Sequence, residues 1–165
     1  MVRVFVPATL TMLQRMVDDG LLHALSGTAF AVTPTLREAY AEGDEDELSE
    51  VALRDAALAS LRLLAAEDTE LPPRRVVLAV EVADATARPD LDDAVVRLAG
   101  PFAMADVVAA YVDNAAAESA VLAAIAVVDD ADLGDEDAEL TVGDAQDHDL
   151  AWYATQELPF LLELL

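Results

Sequence analysis

From Glu45 to Ala66 the chain runs through alanine and leucine without a proline or glycine, then crosses Pro72-Pro73 into the alternating segment Arg75 to Val82. By propensity the first stretch is a long helix. Acids crowd its entry between Glu42 and Glu50, where the helix dipole favours them, and Glu50 precedes Arg54 by four residues, a favourable helical pair. The second stretch places Val76, Leu78, Val80 and Val82 on one face and Val77, Ala79 and Glu81 on the other, which is the period of a strand. A long helix beside a strong strand commits the chain to mixed α and β structure.

The remaining segments fit that frame. Val2 to Val6 alternates and is β-branched, a strand closed by Pro7. Thr9 offers an N-cap to a helix with Leu10, Leu13, Met16 and Val17 on one stripe, and Gly20 is placed to stop it. Gly27 to Thr33 reads as a strand ended by the cap-and-proline pair Thr33-Pro34, with a short helix over Leu36 to Tyr40 broken near Gly43. Asp84 to Asp93 reads as a solvated loop, Ala94 to Ala99 as a strand, Gly100-Pro101 as a turn, Phe102 to Ala105 as one helical turn and Val107 to Val112 as another strand. Asp113 can cap a helix over about Ala115 to Val128, and the acid-dense Asp129 to Glu139 reads as an exposed loop. The tail, Leu150 to Leu165, is either a strand through Trp152 and Tyr153 or a helix up to Pro159. The expected fold class is α+β in one domain over residues 1–165. A single sheet of four to five short strands is covered by helices, an order compatible with an elaborated ferredoxin-like sandwich.

Charge bears on what such a domain can do. The formal net charge is −24, yet 55% of the residues are hydrophobic, so the chain has the apolar mass to fold and does not meet the composition of a disordered one. All nine basic residues are arginines and all lie before residue 98, leaving the last part of the chain purely acidic. Such a surface repels phosphates, and direct nucleic-acid binding is not expected. Cysteine is absent, which removes disulfides, thiolate metal sites and a cysteine nucleophile. The first seven residues are too short and β-branched for a signal peptide, and the longest uncharged apolar run, Ser119 to Val128, is about half of what spans a bilayer. The expectation is a soluble, cytoplasmic protein with no membrane partner.

Chemistry is sparsely signalled. Asp147-His148-Asp149 invites a metal, but adjacent side chains rarely point at one ion, so a surface or capping role is expected. The acids from Asp129 to Glu139 fail the EF-hand register, because Gly134 or Asp137 falls at the wrong position. His23 and His148 are the only histidines, no Gly-x-Ser-x-Gly elbow accompanies them, and Ser26-Gly27 is read as a turn. No glycine-rich phosphate loop occurs. Arg74, Arg75 and Arg97 are expected to offset neighbouring acids at the surface. No catalytic residue, metal or cofactor is therefore assigned. The candidate ligand or interface residues are Trp152, Tyr153, Glu157 and His148, since tryptophan and tyrosine join large apolar area to a polar tip.

The segments Val4 to Leu10 (VFVPATL), Ser26 to Pro34 (SGTAFAVTP) and Asp147 to Pro159 (DHDLAWYATQELP) resemble a family of actinobacterial hypothetical proteins, an uncharacterised domain family. The resemblance spans nearly the whole chain and implies a single-domain organisation; it implies no catalytic residues. Three functional expectations stand side by side. The first is a non-enzymatic interaction or regulatory protein that self-associates as a homo-oligomer, with any other protein partner unknown. The second is a small-molecule-binding domain or enzyme with a pocket near Trp152, Tyr153 and Glu157. The third is an acidic surface that mimics DNA or docks a basic partner.

Overall fold

The computed structural model describes residues 1–24 and 27–165. Its strands are β1 (Val2–Ala8), β2 (Leu21–Leu22), β3 (Thr28–Phe30), β4 (Val76–Val82), β5 (Ala85–Ala87), β6 (Val95–Leu98), β7 (Phe102–Ala103), β8 (Val107–Val112) and β9 (Ala151–Ala154). Its helices are α1 (Leu10–Asp19), α2 (Pro34–Ala39), α3 (Glu45–Ala66), α4 (Glu118–Ile125), α5 (Val128–Asp132), α6 (Glu136–Gln146) and α7 (Leu158–Glu163). The class is α+β, but the sheet is larger than the four to five strands expected. Seven strands pair antiparallel in the order β5-β6-β3-β1-β4-β8-β9, and β2 with β7 forms a separate two-stranded ribbon.

Alternation along the central strands divides the interior. Val4 and Val6 of β1 and Val76, Leu78 and Val80 of β4 face a cluster with Leu10, Leu13 and Met16 of α1 and Leu158 and Leu161 of α7. Phe5, Val77 and Ala79 face the other way, onto Leu48, Ala52 and Ala56 of α3. Helices thus cover both faces, whereas a ferredoxin-like sandwich keeps its helices on one. Toward its C-terminal end α3 also packs Leu61 and Leu64 against α4, α5 and α6 in a third cluster. Between the layers, the buried Ser60 hydroxyl donates to the Ala8 carbonyl at 2.8 Å and accepts the Val76 N–H at 3.0 Å, tying α3 to the ends of β1 and β4.

The expected caps form. Thr9 and Thr33 accept the N–H groups of Met12 and Leu36, Pro34 opens α2, and Gly20 stops α1 at φ 81°. Other segments depart from expectation. Pro7 lies within β1 instead of ending it. The 84–93 segment contains the short edge strand β5, and Phe102-Ala103 pairs with β2 before a 3-10 turn over Met104–Asp106. The acid-dense stretch 129–139 is largely helical: Asp135 caps α6 by accepting the Ala138 N–H, and Glu136, Asp137 and Glu139 occupy its first turn, where carboxylates are favoured. The tail is a strand first and a helix after, β9 then α7. Among the described residues no helix is long and apolar enough to cross a membrane. The Ser26-Gly27 turn falls at Ser26 outside the described residues.

Candidate functional site

β8 and β9 are antiparallel neighbours, yet residues 113–150 intervene between them, an excursion that holds α4 to α6. One guanidinium closes its base. Arg75 Nε and Nη2 donate to the two carboxylate oxygens of Asp113, where the chain departs, at 2.8 Å each. Its Nη1 donates to Gln146 Oε1 at 2.8 Å, and Nη2 also donates to the His148 carbonyl at 2.9 Å, where the chain returns. The Arg75 backbone N–H reaches Asp113 as well, at 2.8 Å. Arg75 is 1% exposed and Asp113 fully buried. Arg75 is not the surface group expected from the sequence, and Asp113 spends its oxygens on Arg75 instead of capping a helix. A buried bidentate pair of this kind persists because every acceptor and most donors find partners at close range.

Above this clamp lies a cleft of about 350 Å³. α3 supplies Glu50, Leu53, Arg54 and Ala57, β8 supplies Tyr111, and the returning chain supplies Gln146, His148, Asp149 and Leu150. Glu50 and Arg54 do not pair across their helical turn. Arg54 Nη1 instead donates to the Gln146 carbonyl at 3.3 Å, and the Gln146 side chain returns a bond to the Arg54 carbonyl at 3.1 Å. Next along α3, the half-buried Asp55 has its pKa pushed up to about 6, by burial first and then by the carboxylates of Asp92 and Asp93, against Arg54 and Arg62.

A protein-family model for a family of unknown function, DUF6912, matches residues 2–162 and so takes in all three segments on which a family resemblance was drawn. The chain belongs to the DUF6912 family. No curated protein and no solved structure matches it significantly.

This DUF6912 chain does not gather its four candidate residues into one pocket. His148 lines the cleft. Trp152 lies 59% exposed on β9, directly across from the cleft residue Tyr111 and on the same face, and is not itself part of the cleft lining. Tyr153 points to the opposite face and packs against the cluster under α1 and α7. Glu157 accepts the Ala154 N–H at 3.0 Å and closes the turn after β9. The alternation of a strand separates Trp152 from Tyr153, a consequence available only once that tail segment is known to be extended. The Arg75 clamp was missed altogether, because nothing local distinguishes a buried arginine whose partners lie some forty and seventy residues away in sequence.

Proposed function

We propose that this chain is a non-enzymatic interaction protein of the cytoplasm that self-associates edge to edge through β9. The observation that carries this reading is the state of the two sheet edges. β5 is three residues long and flanked by Asp84 and Arg88, the usual protections of an edge. β9 reads Ala-Trp-Tyr-Ala, with no charge, proline or bulge, and no strand pairs with its outer side among the described residues.

The hydrogen-bond pattern supports a defined pairing. Since the Ala154 N–H is spent on Glu157 and not on β8, alternation turns the N–H and C=O of Trp152 outward as well. A second copy approaching about a two-fold axis then pairs Trp152 with its own counterpart, while Glu157 blocks extension beyond Ala154. A four-residue strand buries less than the 1,200–2,000 Å² or so of a stable interface. Trp152, with Phe160 exposed on the following helix and Leu164 exposed just after it, supplies the further apolar area. Each copy carries −24, so association strengthens as salt screens the repulsion. The absence of cysteine fits a reducing compartment.

Light scattering coupled to size-exclusion chromatography tests this. The expected mass is twice 17.5 kDa at high protein concentration and moderate salt, returning to 17.5 kDa in Trp152→Lys and staying doubled in Trp152→Phe. A monomer under all salt conditions, or a Trp152→Lys dimer, refutes it.

A further inference from the structure

The cleft above the Arg75 clamp holds charges of both signs that form no ion pair across it among the described residues. Arg75 at its floor is neutralised by Asp113. Arg54 has no such partner at contact distance: its one donated hydrogen bond is to a neutral carbonyl and, although its charge acts on the adjacent Asp55, it forms no ion pair among the described residues. Glu50 and Asp149, exposed at the same cleft, likewise have no hydrogen-bond or ion-pair partner among the described residues. The same cleft is also lined by the apolar side chains of Leu53, Ala57 and Leu150.

We infer that this cleft binds a free aliphatic α-amino acid, with the ligand carboxylate on Arg54, its ammonium on Glu50 or Asp149, and its side chain against Leu53 and Leu150. A zwitterion meets both signs at once, whereas a simple anion is opposed by the two carboxylates and a simple cation by Arg54. The volume, about 350 Å³, lies at the small end of ligand sites and suits a molecule of this size. A guanidinium recognises a carboxylate through paired donors, and Arg54 has donors to spare beyond the one given to Gln146. The clamp beneath holds the Gln146 side chain and the His148 carbonyl, so the return segment bearing Asp149 is held in place before any ligand arrives.

Calorimetric titration of the full chain with L-leucine tests the inference, with Nα-acetyl-L-leucine and L-leucine methyl ester as ligands that each keep one charge. The expected result is saturable heat with leucine and binding weaker by roughly tenfold or more for each derivative, since a charged hydrogen bond is lost in both. Arg54→Gln and the pair Glu50→Gln with Asp149→Asn should weaken leucine to a similar degree. All three positions are exposed, so the variants should keep the circular dichroism of the parent. Absence of saturable heat at millimolar leucine overturns the inference. So does equal binding of either derivative, which would point to a peptide end, or undiminished binding by the variants.

Discussion

Replacing Asp113 by asparagine tests the clamp at the base of the excursion most directly. The substitution keeps the shape but removes the charge from a fully buried partner of Arg75, leaving a guanidinium that is 1% exposed facing neutral acceptors only. An unpaired buried charge of this kind costs about 3–5 kcal/mol. For a chain of 165 residues, 1 kcal/mol moves the thermal midpoint by about 2–4 °C, so a fall on the order of 10 °C is expected. Urea denaturation followed by far-ultraviolet circular dichroism gives the free energy, and hydrogen exchange locates the loss at the C-terminal end of α6 and the start of β9. The double variant Arg75→Met with Asp113→Leu removes both charges and their desolvation together, and should recover to within about 2 kcal/mol of the parent. If Asp113→Asn cost less than about 1 kcal/mol, or the double variant were as damaging as the two single changes added, the pair would not be acting as a buried ionic clamp.

Two further outcomes follow from the same structure. The pKa of Asp55 is about 6 in the folded chain, above its ordinary value of 3.8, so between these limits the folded form keeps a proton that the unfolded chain releases. Stability from this group is therefore complete at low pH, declines as pH rises through that window, and is lost above about 6. The full shift corresponds to about 3 kcal/mol, which partial exposure and screening reduce to roughly 1–2 kcal/mol. Asp55→Asn should stabilise by that amount at pH 7.5 and by almost nothing at pH 4, and an equal gain at both pH values in urea titrations would contradict the cause. Ser60→Ala strands the Ala8 carbonyl and the Val76 N–H between α3 and the sheet, at a cost of about 1–3 kcal/mol. Faster exchange of the Val76 amide is the local readout, and unchanged exchange would rule out the bridging role.

The parts of the fold that were legible in the sequence are those determined by neighbours. α3 occupies the span its composition predicts, and the Thr9, Gly20 and Thr33-Pro34 signals each act within four residues. What escaped depends on distant partners. β5 is a strand because β6 lies beside it, in a segment whose aspartates and proline read as loop. By composition the acids of residues 129–139 read as an exposed loop. Acidity is equally compatible with the first turns of helices, and the apolar contacts of Ala138 and Val142 decide the matter. In the candidate site, His148 lines the cleft and Trp152 pairs across from Tyr111 on the same face, while Tyr153 and Glu157 are drawn off by strand alternation and by a turn.

The Arg75 clamp also separates two design problems. Because one side chain holds both the departure and the return of the chain between β8 and β9, the distance between those points is set at the neck. Residues added or lost in the turns among α4, α5 and α6 would then change the outline of that helical lobe without sliding Trp152 past Tyr111. The lobe is free to vary in shape while the edge it leads to keeps its alignment.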